Sequence, residues 1–179
     1  GVFCTQCDTG QKSFAANDCN SLVCTSAVCQ APTCLDNVKN QGESDIDCGG
    51  VNCNTCAPGK NCSLPDDCSS LVCSGGRCQT PSCSDVVENG NETDIDCGGP
   101  SCFKCDIGKG CSLGSDCTSA VCTGGLCQAP SCFDGTKNGF EIDVDCGGSC
   151  GKCGTGQFCN GPTDCQNGGC SGGICQPTC

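Results

Sequence analysis

An acidic segment that occurs three times carries most of the side chains that could bind a ligand. Its first copy runs Glu43-Ser44-Asp45-Ile46-Asp47-Cys48-Gly49-Gly50, and it returns twice at intervals of 49 residues. If the segment is extended, alternate side chains point to the same side, which brings the three carboxylates of each copy together. Neighbouring carboxylates repel each other unless a cation neutralises them, and Ca²⁺ takes about six to eight oxygen ligands of this kind.

Calcium binding is therefore one interpretation of each copy. An aspartate and an asparagine recur upstream at fixed offsets as further donors, so the candidate ligands are Asp36, Asn40, Glu43, Asp45 and Asp47; Asp85, Asn89, Glu92, Asp94 and Asp96; and Asp134, Asn138, Glu141, Asp143 and Asp145. The other interpretation needs no ion. The last aspartate of each copy (Asp47, Asp96, Asp145) would cap the Cys-Gly-Gly turn that follows it through bonds from backbone N–H groups. The spacing is not that of an EF-hand loop, and both interpretations stay open at this point.

Catalysis and metal–thiolate chemistry lack the groups they need. The chain has no histidine, and no serine or cysteine stands beside an evident base, so nucleophilic catalysis is not expected. Each repeat has only one Cys-x-x-Cys pair, whereas a zinc ribbon needs two. Paired carboxylates can cleave glycosides, but an array does not need an active site in every repeat. We expect a protein that is not an enzyme.

Cysteine is the dominant component of the chain. There are 30 cysteines in 179 residues, no Trp, Tyr or Met, and only 34 Ala, Val, Ile, Leu and Phe residues together. This composition predicts a disulfide scaffold in place of an apolar core, and such scaffolds persist in an oxidising, extracellular compartment. The net charge of −12 makes nucleic acid a poor partner. No apolar run approaches the ~18 residues of a membrane span.

The cysteine spacing divides the chain into four repeats. A truncated repeat at 1–34 precedes full repeats at 35–83, 84–132 and 133–179, and each full repeat holds eight cysteines, which predicts bridges within repeats. The first repeat lacks two positions, because the counterpart of Cys48 would precede Gly1 and the counterpart of Cys62 is Ser13. Their joint loss predicts that these positions bond to each other, giving Cys48–Cys62, Cys97–Cys111 and Cys146–Cys159. By the same argument we expect the start near Gly1 to be genuine. Spacing does not choose among the other pairings.

Short hairpins are the elements that must position these groups. Gly-Gly lies between short flanks in Cys73–Cys78, Cys122–Cys127 and Cys170–Cys175, which is a strong hairpin signal. The first repeat has Ser26-Ala27 at the same place, so we expect its turn to differ. No stretch has helical periodicity over three turns. The predicted fold is a small disulfide-rich array of β-hairpin repeats with little helix, and Gln-x-Pro junctions without flexible tethers predict an elongated, stiff rod.

Several side chains are candidate glycosylation sites. Asn61 and Asn91 match the N-linked acceptor pattern. Hydroxyls that follow a junction proline are candidates for O-linked sugar: Thr33, Ser82, Ser131 and Thr178. The alternative for these hydroxyls is that they satisfy turns.

One pattern recurs along the chain. It runs Asp-x-x-x-Asn-x-x-Glu-x-Asp-x-Asp-Cys-Gly-Gly and is followed by Cys-x-x-Cys, Asp-Cys-x-Ser and the Gly-Gly hairpin. This pattern resembles a tandem cysteine-rich repeat of secreted surface proteins of protists and bacteria. In style it is similar to an EGF-like module, although its cysteine spacings differ. The resemblance implies an extracellular building block of surface structures that has no enzymatic activity.

Two functions follow as expectations. The first is a structural protein of an extracellular filament, in which copies associate head to tail. The second is a calcium-binding adhesin or stalk segment that binds carbohydrate or protein, for which we expect an exposed apolar or aromatic patch. Phe103, Phe133 and Phe140 lie near one junction and are the candidates for such a patch. An inhibitor or toxin would match the cysteine density but not the tandem repetition.

Overall fold

The computed structural model describes residues 6–177. Thirteen disulfides connect two-stranded antiparallel hairpins and single turns of 3-10 helix, and the described residues contain no α-helix. The fold is therefore the predicted array of small, disulfide-rich hairpin repeats. The chain divides into two compact parts, 1–90 and 91–179. No helix among the described residues is long and apolar enough to cross a membrane. The expectation of a stiff rod stays a prediction.

Each repeat contains one hairpin of two two-residue strands. The strands are β1 (Cys24–Thr25) and β2 (Val28–Cys29), β3 (Cys73–Ser74) and β4 (Arg77–Cys78), β5 (Cys122–Thr123) and β6 (Leu126–Cys127), and β7 (Cys170–Ser171) and β8 (Ile174–Cys175). In each hairpin the outer residues of the two strands are cysteines that lie opposite each other, as Cys73 and Cys78 do.

The hairpin turn has the same backbone in all four repeats. Gly75 and Gly76 have φ of 59° and 73°, as a type I′ turn requires. Ser26 and Ala27 adopt 53° and 59°, and the pairing Cys24↔Cys29 is unchanged. The expectation of a different turn in the first repeat is therefore wrong. The pairing of β1 with β2 holds Ser26 and Ala27 in a left-handed conformation that non-glycine residues seldom adopt.

A single turn of 3-10 helix precedes each hairpin. The turns are Ala16–Asp18, Pro65–Asp67, Gly114–Asp116 and Pro162–Asp164. Each ends in an aspartate that is followed directly by a cysteine. The turn brings that cysteine beside the Cys-x-x-Cys segment, as in the backbone pairing of Cys56 with Cys68.

Sulfur fills the interior of each repeat. In the second repeat the buried cluster consists of cysteines alone, with Cys56 and Cys68 fully inaccessible to solvent. The third and fourth repeats have the same arrangement. Large aliphatic and aromatic side chains lie mostly on the surface instead, so covalent bridges replace the apolar core, as the composition predicts.

The pairing predicted for the acidic-segment cysteines is wrong. The predicted bridges were Cys48–Cys62, Cys97–Cys111 and Cys146–Cys159, whereas the observed bridges are Cys48–Cys56 and Cys62–Cys73, Cys97–Cys105 and Cys111–Cys122, and Cys146–Cys153 and Cys159–Cys170. The acidic segment folds back onto the Cys-x-x-Cys segment that follows it. Cys62 instead lies beside the hairpin, where its N–H donates to the carbonyl of Gly76. The two positions missing from the first repeat therefore belong to different bridges, which leaves Cys7 and Cys24 as thiols.

Bridges also cross the predicted repeat boundaries, against the expectation that they stay within repeats. Cys34 bonds to Cys53, and Cys132 bonds to Cys150. In each case the last cysteine of one repeat reaches the Cys-x-x-Cys of the next, because the chain turns back after the junction proline. The first and second repeats, and the third and fourth, are therefore covalently joined through side chains as well as through the backbone.

Candidate functional site

The acidic segment forms a tight loop and is not extended. Asp45 and Cys48 exchange backbone hydrogen bonds of 3.2 and 3.3 Å, and Asp47 at the tip has a φ of 59°. The same pairing joins Asp94 with Cys97 and Asp143 with Cys146. Because the chain reverses at the tip, alternate side chains do not line one face. The premise that grouped the three carboxylates is therefore wrong.

The first aspartate of the loop points toward the segment that flanks the hairpin. The Asp45 carboxylate accepts a hydrogen bond of 2.6 Å from the N–H of Asn61 and lies 3.7 Å from the Lys60 ammonium. The N–H groups of Asn61 and Ile46 hold the pKa of Asp45 below its usual value. The equivalent bonds are Gly110 N–H to Asp94 at 2.6 Å and Phe158 N–H to Asp143 at 2.7 Å. This aspartate fastens the acidic loop to the rest of its repeat.

The last aspartate caps a turn, but not the turn that the sequence indicated. Asp47 accepts bonds of 2.9 and 3.0 Å from the N–H groups of Asp36 and Asn37, which lie upstream. Asp145 accepts the corresponding bonds from Asp134 and Gly135. The capping interpretation is correct in kind for Asp47 and Asp145 but wrong in its target, since they do not cap the Cys-Gly-Gly turn.

The glutamate of the loop is buried beside the bridge that joins two repeats. Glu43 is 6% exposed, and its Oε2 accepts the N–H groups of Asn40 and Asp47 at 3.1 and 3.3 Å. Its Oε1 lies 3.2 Å from the sulfur of Cys53. Glu141 makes the same contacts with Asn138, Asp145 and Cys150.

The upstream aspartate and asparagine hold successive repeats together. Asp36 accepts the N–H of Thr33 at 2.7 Å and the side-chain amide of Asn40 at 3.0 Å. The same amide donates to the carbonyl of Ser21 in the preceding repeat at 3.0 Å. Equivalent bonds run from Asn89 to Ser70 and from Asn138 to Ser119. Each asparagine thus links a repeat to the one before it.

In the first and last copies of the acidic segment, every candidate carboxylate accepts at least one backbone N–H. Turn capping therefore accounts for the positions of these carboxylates without an ion. The buried side-chain oxygens of Asn40 and Asn138 accept no hydrogen bond from any of the described residues. Calcium binding stays a prediction.

Three clusters of three cysteines within residues 6–177 have the spacing of a metal site. The groups closest in geometry to a metal site include Cys62, Cys68 and Cys73. All three cysteines are in disulfides, and only a thiolate is a strong metal ligand.

Sequence reasoning missed one set of functional carboxylates. Asp67 is buried and accepts N–H groups from Ser63, Leu64 and Gly50 at 2.7, 2.9 and 2.8 Å. It therefore caps the 3-10 turn and also holds the acidic loop. The equivalent aspartates are Asp18, Asp116 and Asp164. The signal that could have identified them is the aspartate directly before a cysteine in every repeat.

The candidate glycosylation sites are accessible wherever the structure describes them. Asn61 and Asn91 are exposed, as are Thr33, Ser82 and Ser131, while Thr178 lies outside the described residues. The backbone N–H groups of Thr33, Ser82 and Ser131 donate to the aspartate three positions later. Their modification stays a prediction.

The three aromatic side chains proposed as a binding patch are almost fully exposed. Phe103, Phe133 and Phe140 have 85%, 94% and 84% of their surface accessible.

Comparison of the chain with protein-family models, with curated proteins and with solved structures finds no match.

Proposed function

We propose that this protein is a building block of an extracellular surface filament, in which copies associate head to tail. The role is mechanical and does not involve catalysis. Covalent glycans at the candidate asparagines and hydroxyls are part of this proposal.

The observation that carries the proposal is the bridge across repeat junctions. Cys34–Cys53 and Cys132–Cys150 link one repeat to the next by a covalent bond that does not depend on packing. The amide of Asn40 or Asn138 adds a hydrogen bond to the preceding repeat at the same junction. An array joined in this way resists extension, as a filament subunit must.

The cystine interior supports the same role. A repeat whose buried cluster consists of disulfides cannot unfold by losing apolar contacts alone. Each bridge typically adds about 2–4 kcal/mol to stability, which suits a protein exposed to proteases and changing conditions outside the cell.

Electron microscopy of native material, with gold-labelled antibody against this chain, tests the proposal. We expect label distributed along filaments. Sedimentation of the purified protein at high concentration, with and without Ca²⁺, is the complementary measurement, and a monodisperse monomer in both conditions would count against head-to-tail association.

A second candidate is an adhesin or stalk segment, which the exposed Phe103, Phe133 and Phe140 favour. Apolar rings kept in water are a cost unless a partner covers them. Binding to carbohydrate and protein arrays should then fall when Phe133 is replaced by Ser, while replacement of the exposed Leu35 at the equivalent position serves as the control.

A further inference from the structure

The bridges that cross repeat junctions are more accessible than the bridges within repeats. Both cysteines of Cys34–Cys53 and both cysteines of Cys132–Cys150 are partly accessible. Every bridge within the second repeat has at least one buried cysteine, and Cys56 and Cys68 are inaccessible to solvent. A thiol must reach a sulfur in order to attack it, so the two junction bridges are the ones that a thiol in solution meets first.

A glutamate carboxylate lies against each of these junction bridges. A carboxylate oxygen of Glu43 is within 4.8 Å of the sulfurs of both Cys34 and Cys53, and its Oε1 is 3.2 Å from that of Cys53. In the fourth repeat the Oε1 of Glu141 is 3.5 Å from the sulfur of Cys150. A disulfide has no S–H to donate, so these contacts are not hydrogen bonds.

Backbone N–H groups hold the glutamate in this position. The Oε2 of Glu43 accepts the N–H groups of Asn40 and Asp47 at 3.1 and 3.3 Å, which leaves Oε1 facing the sulfur. The carboxylate of Glu141 is held in the same way, by two N–H bonds of 3.2 Å. The side chain therefore cannot turn away from the bridge without losing both bonds.

The glutamate is the polar contact that the two junction bridges share. The first bridge also has the side-chain amide of Gln41, whose Nε2 is 3.5 Å from the sulfur of Cys34 and 3.6 Å from that of Cys53. The equivalent position in the fourth repeat is Gly139, which has no side chain to make this contact.

Thiol attack on a disulfide places negative charge on the attacking sulfur and on the sulfur that leaves. The attacking species is the thiolate, and the displaced cysteine leaves as a thiolate. A carboxylate fixed beside Cys53 repels the incoming anion when Cys53 is attacked. When Cys34 is attacked instead, Cys53 is the leaving group, and the same carboxylate disfavours its negative charge. Both routes are therefore slowed.

We propose that Glu43 and Glu141 protect the junction bridges from reduction by thiols, through the charge of their carboxylates. The most accessible covalent link between repeats thus has a fixed negative charge beside it. This inference does not rest on the filament role, because it concerns the reactivity of one bond within a single chain.

Opening one bridge consumes two molecules of external thiol. The first thiolate bonds to one cysteine sulfur and displaces the other as a thiolate. The second thiolate then attacks the external sulfur of this mixed disulfide and displaces the remaining cysteine. The bridge is reduced to two cysteine thiols, which take up the protons of the external thiols, and the external thiols are oxidised to their own disulfide.

Reduction of the 179-residue protein by three small thiols of different charge tests the proposal. The thiols are 2-mercaptoethanesulfonate, 2-mercaptoethanol and cysteamine, whose side groups are anionic, neutral and cationic. Alkylation of the free thiols beforehand prevents exchange within the chain. A second, isotopically labelled alkylating agent then marks each cysteine as it is released, and peptide mapping by mass spectrometry gives a rate for each bridge.

Glu43→Gln should open Cys34–Cys53 about fivefold faster with 2-mercaptoethanol, because one charge repulsion at about 4 Å in water is removed. The acceleration should be larger with mercaptoethanesulfonate and smaller with cysteamine. The rate of Cys132–Cys150 should not change, because Glu141 is still present. Unchanged opening of Cys34–Cys53 would overturn the proposal.

Glu141→Gln is the reciprocal variant, which should speed the opening of Cys132–Cys150 alone. Glu88→Gln removes the same charge from an exposed position in another repeat, and it should alter neither rate at about 0.15 M salt, where the Debye length is about 8 Å. An acceleration in Glu43→Gln that is the same for all three thiols, or that extends to the buried Cys48–Cys56, would mean that the loop has only loosened, and would also overturn the proposal.

Discussion

Aspartate is the residue that gives each repeat its shape. The loops have few regular backbone hydrogen bonds, so their N–H groups need other acceptors, and a buried N–H without one is costly. Asp67 satisfies three such groups from two separate segments. A carboxylate can do this because it accepts at both oxygens and carries a charge that strengthens each bond. The acidity of the chain is therefore largely structural.

Replacing Asp67 by Ala should lower the free energy of unfolding by about 2 kcal/mol, because it leaves three N–H groups without their acceptor. Asp66→Ala is the control, since Asp66 is exposed and adjacent. Thermal and denaturant unfolding with the disulfides intact would measure both variants. Equal losses would mean that the N–H bonds of Asp67 add nothing.

Removal of divalent cations should leave the melting temperature unchanged. The carboxylates of Asp45, Asp47 and Glu43 already accept backbone N–H groups, so they do not need an ion to offset their repulsion. Calorimetry with EDTA and then with excess Ca²⁺ is the measurement. A midpoint that rises with Ca²⁺ but not with Mg²⁺ would instead support the calcium interpretation.

Hairpins and acidic loops depend on glycine in different ways. In the hairpin, Gly76 has a positive φ and open space around it, and the first repeat has Ala27 at that position. In the acidic loop, a Cβ on Gly50 would lie 2.2 Å from the carbonyl oxygen of Gly42. Only the second site requires glycine for close packing of the backbone.

Gly50→Ala should therefore destabilise the protein far more than Gly76→Ala. Both substitutions place a side chain at positive φ, which costs about 1 kcal/mol. Gly50→Ala must also displace the Gly42 backbone, which adds about 1–3 kcal/mol. Denaturant midpoints of the two variants give the comparison, and similar losses would show that the acidic loop relaxes freely.

The four bridges of a full repeat should not contribute equally to its stability. In the first repeat, β1 and β2 pair in the usual register although Ser13 replaces the cysteine that would bond to Cys24. The bridge Cys19–Cys29 is retained there. The hairpin can thus form without the bridge that corresponds to Cys62–Cys73.

The double variant Cys62→Ser/Cys73→Ser should therefore keep the hairpin and lose about 3 kcal/mol, the entropic contribution of one closed loop. The matched variant Cys68→Ser/Cys78→Ser should lose more, because Cys68 and Cys78 are 0% and 2% exposed, so both hydroxyls would be shut off from water, whereas Cys73 is only partly buried. Hydrogen exchange of the β3 and β4 amides would show whether each variant keeps the hairpin. Loss of protection in the first variant would contradict the prediction.

At the scale of the whole molecule, several aspartates have pKa values that are shifted in the same direction. Backbone N–H donors lower the pKa of Asp45, Asp67, Asp94, Asp116 and Asp143 from the usual value of 3.8. A group whose pKa is lower in the folded state stabilises the fold above its unfolded pKa, and this stabilisation is lost as the pH falls through the folded pKa. We expect these effects to add wherever the aspartates share no hydrogen-bond partner.

The melting temperature should therefore be nearly constant between about pH 7 and pH 5, where the chain has no histidine to titrate. Below the usual aspartate pKa of 3.8 it should decline steadily. Calorimetry across this range, with Asp67→Ala as a variant of shallower slope, is the measurement. A midpoint that is constant down to about pH 2 would show that the capped carboxylates do not stabilise the fold.

The features of this protein that depend on neighbouring residues or on composition could be predicted from its sequence. Gly-Gly between cysteines specifies a type I′ hairpin, and the cysteine content specifies a cystine interior, because both depend only on local geometry and composition. The recurring Asp-Cys step also marks the capped 3-10 turn, although its role was not predicted.

Bridge partners and carboxylate contacts were decided only by the tertiary structure. A disulfide requires Cα atoms about 4.4–6.8 Å apart, and the fold of the intervening loops sets that distance, not the spacing in sequence. The reversal at Ile46 and Asp47 brings Cys48 to Cys56 and turns Asp45 and Asp47 toward different N–H groups. An extended segment would have placed those carboxylates on one face, whereas the turn at Ile46 and Asp47 makes Asp45 and Asp47 acceptors for separate groups of backbone N–H.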